Sequence, residues 1–347
     1  MSGLMLEQVT ADQAEIVQLV SDVLPTLPDL EAAEEAGSWS DAVVEARLGL
    51  VESGLWSIGI DEDRGGGGAS LDLRQIALAA LGGAQPALAW ALAQAEAAAE
   101  ILALDDSMET ELEAVVSGQQ PAVILSRTDP QVHLVEHDGQ LSGGIGRLDV
   151  CGDEPLVVVL DEGAAWVIQP GALRFGDAER TTGMAGAATV SAVITDGAGH
   201  ITRVVSTGVN AIRARMQMGG AAIAAGLALA AAEAATSYSA ERVQFGAPIS
   251  ALPTVRQSLA RQNAAAVSAL ADALHDAVPG PARAAALLRE NCERALSVTS
   301  DALLSHGGYG YLHEYGVERL VRDAVSLRAA TGARAAFSRS ADRFAPH

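Results

Sequence analysis

The sequence predicts an α+β fold in three parts: an N-terminal helical domain over residues 1–118, a middle, small antiparallel β domain over 119–207, and a C-terminal four-helix bundle domain over 208–347. Three observations predict it. Apolar residues recur at helical spacing on both sides of a central stretch, with caps and Pro or Gly breaks between the repeats. Between Pro121 and Val204 short β-branched runs alternate with turn residues instead. The 347 residues are 49% hydrophobic but only 3% aromatic, so the cores must be built from Ala, Leu and Val, which suits closely packed helices.

Thr10 and Gln13 have the spacing of a capping box ahead of Ile16, Leu19, Val20 and Leu24, and Pro25–Pro28 ends that first helix. A second helix covers Asp41–Ser53. Gly59–Gly68 is a flexible loop, after which Ser70 is placed to cap a helix running through Leu81. Gly82, Gly83 and Pro86 break the chain before a regular Ala87–Leu104 helix, and Ser107 is placed to cap a shorter one reaching Val116. The β runs are Ala122–Leu125, Val132–Val135, Leu156–Leu160, Trp166–Ile168, Thr189–Ile194 and Ile201–Val204, with Asp138-Gly139 as a hairpin turn. The bundle helices are Ile212–Arg242, Leu252–Ala277, Ala282–Leu304 after the Pro279-Gly280-Pro281 break, and Val317 to about Phe344.

Composition excludes several functions. A net charge of −22 leaves no basic surplus to neutralise phosphates, so no nucleic-acid partner is expected. All 22 basic residues are Arg, which rules out Schiff-base and P-loop lysine chemistry, including at Gly65–Gly68, where no Lys-Ser/Thr follows. Two cysteines, Cys151 and Cys292, make neither a disulfide framework nor a metal cluster, as expected in a reducing cytoplasm. No charged n-region followed by an apolar h-region opens the chain, so no signal peptide is expected, and the longest apolar run, Met218–Ala232, is shorter than the roughly 18 residues of a membrane span, so no membrane partner is expected. The small residues of Gly219–Gly226 suit tight helix packing better than room for a substrate.

Two stretches carry chemistry. In Ser237–Ser250 a long Ala-rich helix runs into Arg242-Val-Gln-Phe245-Gly246; residues three apart share a helical face, so guanidinium and ring can grip a phosphate and pack on a ring system. In Ser305–Ala324 the turn Gly307-Gly308-Tyr309-Gly310 offers bare backbone for close approach of a large ligand. His306 and His313 flank it without the further ligands a metal needs. Glu318 with Arg322, and Arg319 with Asp323, have the spacing of a salt-bridged helix face rather than a catalytic cluster.

Both stretches, in this order and near this separation, resemble the C-terminal domain of the acyl-CoA dehydrogenase family, whose Arg-x-x-Phe-Gly and Gly-Gly-x-Gly turns bind FAD belonging mainly to a neighbouring subunit. Gly54–Glu62 similarly resembles that family's GLLGLxVPEE entry to a Gly-rich loop. The resemblance implies the acyl-CoA dehydrogenase-like order of helical, β and bundle domains, with Arg242, Phe245, Gly307, Gly308 and Gly310 as cofactor-binding residues. It also implies α,β-dehydrogenation of an acyl-CoA, which needs a carboxylate base.

At the two positions that would supply the base this chain has Thr331 and Met216. The Thr-Glu-Pro-Gly-x-Gly-Ser-Asp loop is reduced to Ser126–Pro130, and Arg147-Leu148-Asp149 replaces the Trp-Ile-Thr/Ser that packs beside the flavin. Leu304 and Pro253 stand where Gln is usual. Loss of one side and retention of the other resembles the base-lacking subunit of actinobacterial α2β2 heterotetrameric acyl-CoA dehydrogenases, some of which act on steroid-CoA. That implies no catalytic residue here, FAD shared with a catalytic partner subunit, and an acyl-CoA substrate in the cytoplasmic complex. A flavin-free scaffold or ligand-binding homo-oligomer is the alternative; a third reading makes Asp149 an unrecognised base.

Overall fold

The computed structural model describes residues 3–37, 39–195 and 199–341. The N-terminal block comprises α1 (Gly3–Leu6), α2 (Ala11–Val23), α3 (Leu30–Glu35), α4 (Trp39–Glu52), α5 (Leu71–Gly82), α6 (Pro86–Leu102) and α7 (Glu109–Val116). The expected capping box opens α2: the Gln13 N–H donates to the Thr10 hydroxyl at 3.3 Å and the Thr10 N–H to Gln13 Oε1 at 3.1 Å. Two other caps differ from expectation. The Ser70 hydroxyl donates to Asp72 Oδ1 at 2.5 Å rather than accepting from the backbone, and Asp105, not Ser107, accepts the N–H of Ser107 at 3.0 Å. Short α3, capped by Asp29, is too brief to show helical periodicity and was not expected.

The middle block holds β1 (Ala122–Ser126), β2 (Val132–His137), β3 (Gln140–Asp149), β4 (Leu156–Asp161), β5 (Ala164–Ile168), β6 (Leu173–Phe175), β7 (Thr189–Ile194) and β8 (Ile201–Val205). They form two four-stranded sheets, β1-β4-β5-β8 and β2-β3-β7-β6. β3 and β6 were not expected; the glycines of β3 mask its alternation. The block is also not wholly antiparallel, because β1 pairs with β4 in parallel. Val157, Val159 and Trp166 face the opposing sheet, whereas Leu156, Val158 and Leu160 pack with the helices, which is why β4 is buried on both faces.

The C-terminal block comprises α8 (Val209–Glu241), the two-residue strands β9 (Val243–Gln244) and β10 (Ala247–Pro248), α9 (Pro253–Ala273), α10 (Pro281–Ser305), α11 (Val317–Ala330) and α12 (Ala333–Ala341). Helix α8 has the length and hydropathy of a membrane span, yet its most apolar window is 83% buried within the fold, so it is the bundle's core. Its small residues serve packing: a Cβ on Gly226 would lie 2.0 Å from the Ala79 carbonyl oxygen of α5. The expected last helix is instead two, because Gly332 adopts φ +60° after Thr331; Phe344, its expected end, lies outside the described residues.

One ionic contact fastens the N-terminal block internally and a second, on α11, joins the blocks. Buried Arg74 on α5 pairs with Glu96 on α6, whose second oxygen accepts the Gly59 N–H at 2.7 Å and so fixes the entry to the Gly-rich loop. On α11 the expected pairs form, Glu318–Arg322 at 2.6 Å and Arg319–Asp323 at 3.8 Å. Arg322 also reaches Glu31 of α3 at 2.6 Å and the Thr182 carbonyl at 3.1 Å, latching the bundle to the other two blocks. The same Arg322 occupies the carboxylates of Glu31 and Glu318 that, with His313, approach one another closely.

Candidate functional site

At one end of the bundle α8 stops at Tyr238–Arg242. The Arg242 N–H donates to the Tyr238 carbonyl at 2.9 Å, and Arg242 itself is extended, φ −71° and ψ 114°. The chain then makes a tight β9–β10 hairpin with Phe245 at φ 54° and Gly246 at φ 82° on its tip. Arg242 and Phe245 therefore do not share a helical face, contrary to the spacing argument: the helix ends at Glu241 and Phe245 already belongs to the hairpin. The hairpin instead lifts Phe245 clear of the protein at 93% exposure.

The second stretch packs beside it. The Arg242 guanidinium lies 5.0 Å from the centroid of the Tyr309 ring, a cation–π contact that joins the two sequence motifs directly. His306, buried, donates from Nδ1 to the Ala302 carbonyl at 2.8 Å and stacks on Tyr238 at 4.2 Å between ring centroids. Tyr315 closes the cluster edge-on to both Tyr238 and His306. Three glycines expected to act together separate by cause. A Cβ on Gly310 would meet the Leu303 carbonyl at 2.5 Å, so the chain's own packing requires it. Gly307 is required by its φ of +57°. Gly308 has neither constraint, and a Cβ there would point into open space.

Around the hairpin and the Gly-rich turn lie Val243, Leu304 and Tyr311, all well exposed, so an apolar rim surrounds the Arg242–Tyr309 contact. Tyr238, Tyr309 and Tyr315 were not singled out from the sequence. A signal existed: all four tyrosines of a chain poor in aromatics fall between residues 238 and 315.

The two positions without a carboxylate are both internal. Met216 is 8% exposed, and the Thr331 hydroxyl donates to the Leu327 carbonyl at 2.9 Å, so it serves the end of α11. Near Thr331 opens a cavity of about 470 Å³ between α6, the β1–β2 turn, β3 and the α11–α12 junction, lined by Trp90, Gln94, Arg147, Asp149 and Arg328 among others. Arg147 grips Asp149 through Nε at 3.3 Å and Nη2 at 2.8 Å, and Thr189 donates to the same carboxylate at 2.6 Å. Asp149 is thus engaged by the chain's own donors and is poorly arranged to take a substrate proton.

A flavin dinucleotide fits these two places differently. The bundle end offers a guanidinium without a carboxylate partner among the described residues, an exposed ring and open backbone at Gly308. The internal cavity presents an ion pair where a flat apolar ring would need a smooth wall.

Residues 206–338 match the family model described as Acyl-CoA dehydrogenase, C-terminal domain. The fold agrees over nearly the whole chain. Glutaryl-CoA dehydrogenase from Mycobacterium smegmatis superposes with a TM-score of 0.80 at 19% identity, covering 97% of this chain and 95% of that one. The chain has the acyl-CoA dehydrogenase fold, and its bundle is similar to that family's C-terminal domain. A steroid ACAD, Tcur3481-Tcur3483, shares the fold with a TM-score of 0.75 at 19% identity over 96% of this chain and 97% of that one. Sequence similarity is more local: a probable acyl-CoA dehydrogenase, YngJ of Bacillus subtilis (strain 168), is 35% identical over 115 residues. That match spans 30% of this chain and 30% of the relative. Within this acyl-CoA dehydrogenase fold, the bundle end holds the motif residues, with Leu304 as a departure among them, and the cavity holds the Arg147–Asp149 departure.

Proposed function

We propose that the chain is the non-catalytic subunit of a heteromeric, FAD-dependent acyl-CoA dehydrogenase and completes the FAD site of a catalytic partner. The observation that carries the reading is the Arg242–Tyr309 contact: it unites both motifs on one exposed, apolar-rimmed surface, while the two base positions hold Met216 and Thr331. FAD, when bound, supplies the hydride acceptor. Arg242 answers the negative charge of its phosphates, Phe245 covers an apolar part of the ligand, and Gly308 keeps the backbone low enough for contact in a turn whose shape Gly307 and Gly310 set. The proton-abstracting carboxylate and the acyl-CoA thioester belong to the partner subunit. The paired designation of the Tcur3481-Tcur3483 steroid ACAD supports an assembly of unlike chains, which we extend to α2β2, and a steroid-CoA substrate. Burial of both cysteines as free thiols is compatible with a cytoplasmic setting.

The test is co-expression with a dehydrogenase homologue from the same genome that carries the missing carboxylate, followed by size-exclusion chromatography with flavin absorbance. A yellow peak holding unlike chains in equal amounts is expected, with the flavin lost in Arg242→Ala. A colourless chain eluting apart from every such homologue refutes the reading and leaves the flavin-free scaffold.

A further inference from the structure

We infer that the chain covering the bundle end is unlike this one and meets it with a carboxylate-bearing face; the inference rests on the proposed function and names the chemistry of that partner. Phe245 stands 93% exposed on its hairpin tip, and Val243, Leu304 and Tyr311 lie open around it. An apolar group this exposed marks a surface made to be covered. Arginines accompany it. Arg242 follows α8, Arg256 near the start of α9 donates from Nη1 to the Ala251 carbonyl at 2.5 Å, and Arg261 comes just over one turn later. Arg261 immediately precedes Gln262, whose Nε2 donates to Ser305 Oγ at 3.2 Å at the foot of the Gly-rich turn. None of the three arginines has an ion pair among the described residues. Aromatic side chains and Arg together are what interface centres are enriched in.

Charge decides what covers them. Segments 237–262 and 304–316, which form this end, hold Arg242, Arg256 and Arg261 against Glu241 and Glu314, whereas in the rest of the chain acids outnumber arginines more than two to one. The sign of the charge therefore reverses at the apolar surface. A second copy docking through the same surface sets arginine against arginine, because a two-fold interface is isologous, and brings together two chains of net charge −22. An anionic membrane repels the same acidic body. A carboxylate-bearing face on an unlike chain answers Arg256 and Arg261, while Arg242 stays with the FAD phosphates. Such pairs steer the encounter and select the partner, and a reversed charge among them sets like against like.

The experiment follows association of the full chain with the FAD-loaded dehydrogenase homologue by surface plasmon resonance, at about 50 and 500 mM NaCl. Arg256→Glu combined with Arg261→Glu is expected to slow association and weaken it about tenfold or more at the lower salt, with most of the difference gone at the higher. The complex formed at saturation should keep its FAD, since neither residue is assigned to the cofactor. Arg174→Glu combined with Arg283→Glu makes the same change of net charge at exposed positions on β6 and at the start of α10, the latter on the order of 30 Å from Ser305 along that helix. That control should bind as wild type does. Wild-type affinity in the Arg256/Arg261 variant, or an equal loss in both double variants, overturns the inference and leaves the proposed function standing. Self-association of the isolated chain that the Arg256/Arg261 variant abolishes overturns it in favour of a second copy. Failure of the wild-type chain to form a yellow heteromer at all is the separate result that removes the proposed function, and this inference with it.

Discussion

Gly308 separates what the isolated chain needs from what its partner site needs. Substituting Gly308→Ala adds a methyl that meets nothing within 4 Å, at a residue inside the 3-10 turn Gly307–Tyr309 whose φ is not positive. By itself the change removes freedom from the unfolded chain and should stabilise by about 0.4–1 kcal/mol, raising the melting temperature by roughly 1–2 °C for a chain of this size. If the open space is where FAD and the partner approach, the same methyl intrudes on a packed contact and costs about 1–3 kcal/mol there, a loss of roughly 5- to 150-fold in affinity. The assay pairs thermal unfolding of the isolated chain with FAD retention by the co-expressed complex after desalting. The expected result is an isolated chain at least as stable as wild type in a complex that sheds flavin. Wild-type FAD retention by Gly308→Ala, and also by the bulkier Gly308→Leu, would refute the assignment of Gly308 to the cofactor surface.

Arg322→Ala removes the bonds to Glu318, Glu31 and the Thr182 carbonyl and should cost about 2–3 kcal/mol in urea unfolding at pH 7. The hydrogen bond from Arg322 holds the Glu318 carboxyl below the usual range, against the opposing effect of burial. A depressed folded value means that this contribution is present above the unfolded value, about 4.3, and is lost as pH falls through the folded one. The difference between wild type and Arg322→Ala should therefore shrink below about pH 4. Burial pushes both thiols, Cys151 and Cys292, up to about 12, so native protein should resist iodoacetamide at pH 8 and take up two labels only when unfolded. Gly226→Ala would force its Cβ against the Ala79 carbonyl oxygen at 2.0 Å and should cost about 3 kcal/mol or more by chemical denaturation, or prevent folding.

The order of helical, β and bundle blocks was legible because long Ala-rich helices carry their own period, and caps such as Thr10–Gln13 are local chemistry. What escaped was set by distant parts of the chain. The parallel β1–β4 pair depends on a crossover that no window of sequence contains. Strand β3 is hidden by Gly143, Gly144 and Gly146, the first of which takes φ +121° because a Cβ would meet the His133 carbonyl at 2.1 Å on β2. Caps at Ser70 and Ser107 were misplaced because neighbouring carboxylates, Asp72 and Asp105, compete for the same hydroxyls and amides.

The candidate site shows the same division more sharply. Motif residues were visible because each turn has a local signature, but the helical-face argument for Arg242 and Phe245 failed: the hairpin beginning at Val243 takes the pair out of the helix. What replaces that face is a contact across 67 positions of sequence, Arg242 over Tyr309, and it makes a better case for a shared surface than the spacing did. A cation–π pair within one motif could be a helix-terminal ornament; one that locks two separate motifs edge to edge holds both in register for a common third body. The cavity argues in the opposite direction. Its Arg147–Asp149 pair is read only after β3 is packed against β1 and α6, and it sets paired charges where a flat apolar ring would need a smooth wall.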